Sequence, residues 1–213
     1  MRVATLSIVL AGLALLPAAA SGQSAVAATQ GKTFTRIPVG STWKVDPAHS
    51  EISFRIRHLV GRVRGQFNDW EGVLVTKEAD WSRGTVNVTV RTKSIDTGNP
   101  ARDQDLRSPR FFAVDSFPTM TFESTGLVPS GEKGQDFEMS GLLTIKGHTH
   151  PVVFKGLYRG LERDANGKER LAFEGSAYIN RKDYGIVWNQ IVESGALLSD
   201  DVELSISLEA VRQ

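Results

Sequence analysis

The sequence predicts an all-β domain of about eight antiparallel strands, with one short helix in a long connection. Three observations carry this. Apolar and polar residues alternate over most of the chain after Gly40, the period of half-buried strands. Turn-forming stretches, among them Ser130-Gly131, Gly147 and Asp164-Ala165-Asn166-Gly167, punctuate the alternation. One segment, 99–109, breaks the period with helix-start and helix-stop residues.

In chain order, the first strand is expected over 50–59, where Ile52, Phe54, Ile56 and His58 alternate with Glu51, Ser53, Arg55 and Arg57. The second covers 63–75, after a turn within Gly61-Arg62-Val63-Arg64-Gly65. The third, 84–93, sets Val86, Val88 and Val90 against Asn87, Thr89 and Arg91. In the segment that follows, Asn99 can cap a helix, Pro100 suits its first position and Pro109 forbids its continuation. Arg110-Phe111-Phe112 comes next, and a long connection with its own helix and two adjacent rings is a common seat of function. Strands 119–128, 136–146 and 151–161 follow, with Gly147 to Pro151 read as a turn. Strand 170–180 carries Leu171, Phe173, Ala177 and Ile179, and strand 201–211 alternates Val202, Leu204, Ile206, Leu208 and Ala210 with Glu203, Ser205, Ser207 and Glu209.

Such a sheet hides its apolar face by packing on a second sheet or by closing into a barrel. Eight closed strands enclose either a filled core or a single ligand. Val86, Val88, Val90, Gly141, Gly156, Gly175 and Ala177 are small inward-type residues that leave room for a lumen. A solid sandwich core is the alternative.

The chain has 213 residues, 23% of them charged, and no cysteine. Disulfide frameworks, thiol nucleophiles and Cys-ligated metals are therefore excluded. Met1-Arg2, the apolar run Leu6 to Leu16 and the small residues after Pro17 form a secretory signal, with cleavage expected after Ala20 or near Ala27. The apolar run is shorter than the ~20 residues a spanning helix needs. The expected organisation is a signal peptide and leader over 1–28, a flexible segment over 29–42 and a folded domain over 43–213. Without cysteine there is no lipidated N-terminus, so the expected product is soluble in the periplasm or secreted, and not membrane-spanning. Loss of Arg2 with the leader leaves 24 basic and 24 acidic residues, a balance that argues against nucleic acid as partner.

The candidate chemistry is sparse. His148-Thr149-His150, with His49 and His58, could gather imidazoles, but no carboxylate stands at ligand spacing and a turn would leave the pair in solvent. No metal or other cofactor is expected. His58 continues the inward phase of its strand. There is no Gly-X-Ser-X-Gly elbow and no phosphate loop. Asp103 and Asp105, interleaved with Arg102 and Arg107, read as an ion-pair network that fixes the helix.

Several linked motifs resemble the YceI family of periplasmic lipid-binding proteins. They are Trp43-Lys44-Val45-Asp46-Pro47-Ala48-His49-Ser50, Val63-Arg64-Gly65-Gln66-Phe67, Ser94-Ile95-Asp96-Thr97-Gly98 with Arg102-Asp103 and Leu106-Arg107-Ser108, Phe111-Phe112, and Phe117-Pro118 with Thr121-Phe122. Gly141 to Gly147 and Ile179 to Gly185 continue the match, which spans about 43–211 in the family's order. The resemblance implies a lipocalin-like antiparallel barrel whose apolar lumen takes a polyisoprenoid or another long-chain lipid, without catalysis. The lumen contacts it leads us to expect are Phe54, Ile56, Phe67, Ile95, Leu106, Phe112, Phe122, Met139 and Trp188. His58, Arg102, Asp103 and Arg107 are expected at the mouth near a polar head, with Asp103 and Arg107 serving only to pin the helix as the alternative. The expected function is periplasmic binding, transport or sequestration of a polyprenyl or prenyl-quinone lipid. An isoprenoid enzyme using His58 and Asp103, or a filled-barrel interaction protein, remain as alternatives, and a homodimer is left open.

Overall fold

Strand alternation gives each segment one apolar face, and the chain buries these faces by closing the sheet. The computed structural model describes residues 38, 40–76, 83–130, 135–189, 191–192 and 195–213. The expected signal peptide, most of the segment 29–42 and Gly131 of the Ser130-Gly131 turn lie outside the described residues. The elements are β1 (Thr42–Val45), β2 (Glu51–His58), β3 (Gly61–Phe67), β4 (Trp70–Val75), β5 (Thr85–Arg91), β6 (Ile95–Asp96), α1 (Pro100–Arg107) and β7 (Thr119–Ser130). Then come β8 (Asp136–Ile145), β9 (His148–Arg163), β10 (Glu169–Asn180), the short ladder β11 (Ile191–Val192) and β12 (Gly195–Ala196), and β13 (Leu198–Arg212).

The ring runs β1-β4-β5-β7-β8-β9-β10-β13 and returns to β1 through Trp43 opposite Arg212 and Val45 opposite Ala210. It is a closed, antiparallel, eight-stranded barrel. β13 is long enough to pair with β1 near its end and with β2 along Leu198–Ser207. From β2 the sheet extends to β3 and β6 as a branch at one end of the barrel.

The branch exists because three long strands each break once. Asp46 caps the turn Pro47–His49 through Ala48 N at 3.1 Å, and Pro47 brings no ladder donor, so β1 ends and β2 begins in a new direction. The expected strand 63–75 is likewise two strands, interrupted at Asn68-Asp69, whose side chains favour turns. A third break, Thr92–Ser94, separates β5 from β6. The breaks are bonded together: Asn68 N donates to Ser94 O at 3.2 Å, and Arg91 N donates to Asp69 O at 2.9 Å.

The other boundary that differs from expectation is 147–151. The turn is only Lys146-Gly147, with φ of 51° and 78°, the pair of positive angles that a two-residue hairpin favours. His148 and His150 are therefore the first strand residues of β9, opposite Ile145 and Leu143. The helix matches its signals: Asn99 accepts from Arg102 N at 3.1 Å, and Pro100 opens the first turn.

Two of the small inward residues do not create space. A Cβ at Gly141 would collide with the Phe122 ring, and one at Gly156 would collide with the Glu174 carbonyl and lie 2.7 Å from the Phe137 ring. These glycines seat aromatic rings from neighbouring strands. Phe137 over Gly156, with Phe173 against it at 6.1 Å and against Tyr158 at 5.2 Å, fills the barrel end away from α1, whereas Phe122 over Gly141 stands farther along the barrel. Burial pushes the Tyr158 phenol up to about 12.

Outside that end, Arg170 bonds Asp46 at 2.8 Å, Asp164 at 3.1 Å and Glu209 at 3.3 Å. The Arg170 guanidinium, with help from His49, holds the Asp46 carboxyl at about 2. This tie fixes the break between β1 and β2 to β10 and β13.

Two outcomes follow. Gly156→Ala is expected to destabilise the barrel by about 2–3 kcal/mol through overpacking, read by urea unfolding. Because the folded Asp46 pKa lies below its unfolded value, the Arg170 pair contributes fully above about pH 4 and is lost as pH falls through 2. Asp46→Asn should therefore cost about 1 kcal/mol at pH 7 and progressively less as pH falls through 2, below which the unfolding curves of the two proteins should converge.

Candidate functional site

At the opposite end, the space between the barrel wall and its cover stays open as a cavity of about 420 Å³, within the range of small-molecule sites. The wall is built from inward residues of successive strands. Phe54 and Ile56 come from β2, Val86, Val88 and Val90 from β5, Phe122 from β7, Met139 and Leu143 from β8, and Val202, Leu204, Ile206 and Leu208 from β13. The cover consists of α1, the connection 108–118 and the segment 185–189, which contribute Leu106, Phe111, Phe112, Ile186 and Trp188.

Of the expected lumen residues, Phe54, Ile56, Phe67, Leu106, Phe112, Phe122, Met139 and Trp188 all line this cavity. Ile95 does not; it is fully buried opposite Phe67 where β6 joins β3, and packs behind the wall. The rings link wall to cover: Phe67 stands 5.9 Å from Phe54 and 5.8 Å, edge-on, from Phe112. Phe111 lies 5.4 Å from Trp188, with the Arg110 guanidinium 5.2 Å from the Trp188 ring, a cation held over two aromatic faces.

Of the expected mouth residues, His58 and Arg102 line the cavity, whereas Asp103 and Arg107 lie off it. Asp103 is buried and accepts from Thr97 N at 2.9 Å and Thr97 Oγ1 at 2.5 Å. Arg107 donates to the carbonyls of Lys93 at 2.9 Å and Ile95 at 2.6 Å. Both residues pin α1 to the break between β5 and the helix. For Asp103 and Arg107 the expected carboxylate–arginine network is replaced by these bonds, because α1 lies close enough to residues 93–97 for its side chains to bond the Lys93 and Ile95 carbonyls and the Thr97 N–H and hydroxyl. Arg102 joins the same cluster through Thr97 Oγ1 at 2.7 Å and Thr97 O at 2.9 Å, and Asp105, also on the wall, pairs with Arg110 at 2.5 Å.

Arg181 is the wall residue that sequence reasoning missed. It is 4% exposed, and donates to Ser199 O, Ile186 O and Trp188 O at 2.6–2.9 Å and to Asp200 at 3.1 Å. Burial lowers its pKa and Asp200 opposes that shift. Its neighbour Tyr184 is pushed up to about 12 by burial and by Asp183. The sole sequence signal was its place in the run Ile179 to Gly185. His150 bonds Asp183 O at 2.9 Å and packs edge-on against Tyr184 at 5.1 Å. Among the described residues no three His, Asp or Glu groups come together in a metal-holding cluster, and no helix is long and apolar enough to cross a membrane.

Known proteins match this architecture. The YceI-like domain matches residues 43–210. A UPF0312 protein of Pseudomonas paraeruginosa is 38% identical over 178 residues, which cover 82% of this chain and 89% of that one. The crystal structure of a Campylobacter jejuni YceI protein superposes with a TM-score of 0.63 at 28% identity, covering 74% of this chain and 90% of that one. A polyisoprenoid-binding domain from Saccharophagus degradans shares the fold, with a TM-score of 0.61 at 15% identity over 80% of this chain and 98% of that one.

Replacing Asp103 with Ala removes the acceptor of a part-buried N–H and hydroxyl, and is expected to cost about 2 kcal/mol. Amide exchange within α1 should accelerate selectively; uniform exchange across the barrel would contradict the pinning role.

Proposed function

The chain belongs to the YceI family, and from that premise we propose that it binds a long-chain isoprenoid lipid, of polyprenyl or prenyl-quinone type, and carries or sequesters it in the periplasm. The observation that carries this reading is the 420 Å³ cavity whose wall is almost wholly aliphatic and aromatic. Each buried methylene of a tail contributes about 0.8 kcal/mol, so one isoprene unit adds a few kcal/mol gross without any polar contact. The polyisoprenoid-binding domain of Saccharophagus degradans has the same fold, which supports the choice of tail. His58 and Arg102 stand where a polar head would lie, since burial of a head group costs least beside groups that can bond it.

A binding role fits the engagement of the wall's charged groups better than catalysis. Arg102 is committed to Thr97, Asp105 to Arg110, and Arg181 to three carbonyls and Asp200. The signal-like N-terminal sequence, with cleavage expected after Ala20 or near Ala27, supports a periplasmic or secreted site for the proposed binding.

The test is organic extraction and mass spectrometry of protein purified without detergent, where a stoichiometric prenyl lipid is expected. Leu204→Trp, placed mid-wall between Phe54 and Ala177, should retain the β-sheet circular dichroism and lose at least tenfold in affinity for a fluorescent prenyl alcohol. Equal affinity in this variant would place binding outside the cavity and overturn the reading.

A further inference from the structure

The β2–β3 hairpin gives its inner face to the cavity through Phe54, Ile56, His58 and Val63. Strand alternation therefore sends Arg55, Arg57, Arg62 and Arg64 to the outer face. The register sets Arg55 directly opposite Arg64 and Arg57 directly opposite Arg62. Two like-charged cross-strand pairs repel and weaken a hairpin, and only Arg55 of the four finds a carboxylate among the described residues. Arg55 pairs with Glu203 at 3.3 Å, with its Nε buried and unbonded. Arg57 reaches only its own turn, at Leu59 O, and Arg57, Arg62 and Arg64 form no ion pair among the described residues. Residues 51–67 hold four arginines and one carboxylate in a chain whose overall charge is nearly balanced.

The tip is equally unusual. Leu59 and Val60 occupy the turn, where Gly, Asn or Asp is ordinarily favoured. Leu59 holds a φ of 53°, a left-handed conformation disfavoured for leucine, and Val60 is fully exposed. The tip adjoins the cavity rim: Leu59 N bonds Leu197 O at 2.9 Å, His58 pairs with Leu198, and Leu197 and Leu198 both line the cavity.

We infer that this hairpin docks the barrel on an anionic phospholipid bilayer, its arginines meeting lipid phosphates and Val60 entering the acyl boundary. Phosphates supply the negative charge that the Arg57, Arg62 and Arg64 guanidinium groups lack among the described residues, and a guanidinium binds a phosphate through two parallel bonds. Each such cation near an anionic surface contributes about fivefold in partitioning. Guarding the open edge of β3 against strand addition would require charge on β3 alone. It would not call for Arg55 and Arg57 on β2 or for a valine at the tip. Docked in this way, the rim at Leu197-Leu198 faces the membrane and a lipid passes between bilayer and lumen along an apolar route. The inference rests on the carrier reading for that purpose, while the docking is measured separately.

The experiment is co-sedimentation of the whole protein with vesicles of phosphatidylglycerol and phosphatidylethanolamine, compared with phosphatidylcholine alone. Uptake of a soluble fluorescent prenyl alcohol is measured in parallel without vesicles. Binding to the anionic vesicles is expected, falling as salt rises from 50 to 200 mM through screening at about the 10 Å scale. Arg62→Gln with Arg64→Gln, and separately Val60→Asp, should each lower vesicle binding at least tenfold and leave uptake unchanged. All proteins compared share the same N-terminus, so its contribution cancels. Equal binding by the variants, or equal binding to both vesicle types, overturns the docking. Vesicle binding that follows this pattern without any prenyl uptake would uphold the docking and overturn the carrier reading instead.

Discussion

The arrangement depends on one strand making two different closures. β13 holds β10 along one edge; along the other it meets β2 with its first ten residues and β1 with its last three. Closing the ring at β1 removes a sheet edge that would otherwise leave backbone donors and acceptors unpaired. Handing its other half to β2 makes the barrel taller on one side than a simple ring of eight. The extra height is the branch β2-β3-β6, and the cavity lies between this branch, the wall and the cover.

That division explains why one barrel end is solid and the other hollow. In the solid end, the Phe137 ring lies over Gly156 and Arg170 gathers three carboxylates outside. In the hollow end, β3 has a partner on its second edge only at Gln66 and Phe67. Helix α1 and the Phe111-Phe112 connection take the place of strands there. A helix cannot pair its backbone with a sheet, so this junction is made from side chains bonding carbonyls and leaves room that a strand would have filled.

Period-two alternation made the strands readable, and the capping residues Asn99 and Pro100 made the helix readable, because those signals are local. The breaks at Asn68-Asp69 and Thr92–Ser94 were harder to see, since each half-strand keeps the apolar alternation and only pairing across strands shows the chain changing direction. Phe54, Ile56, Phe122 and Met139 share the inward phase of their strands, whereas Leu106, Phe112 and Trp188 lie off the strands, where no such phase applies. Ile95 failed for a related reason: phase separates the two faces of a strand but does not distinguish a wall that is exposed to a lumen from one covered by a neighbouring element. Asp103 and Arg107 carried the right residue types for a polar mouth, yet their partners at Thr97, Lys93 and Ile95 depend on how α1 lies, which no spacing encodes. Arg181 stood out least, since a lone arginine after a strand reads as a surface residue.

Arg181 is also what separates this cover from ordinary apolar packing. Its guanidinium joins Ile186 and Trp188 of the cover to Ser199 and Asp200 at the base of β13. Lys146 makes the matching tie on the other side, from the Lys146-Gly147 turn to Pro109 O at 3.0 Å and Gly185 O at 3.4 Å. Bonds from charged donors contribute about 1.5–3 kcal/mol each where they are well made, and they fix direction as well as distance. Apolar contacts alone would let Phe111, Phe112 and Trp188 fall inward to fill a vacant lumen, because burial has no preferred direction. Cations bonded to cover carbonyls resist that collapse, so the cavity keeps its shape independently of what occupies it.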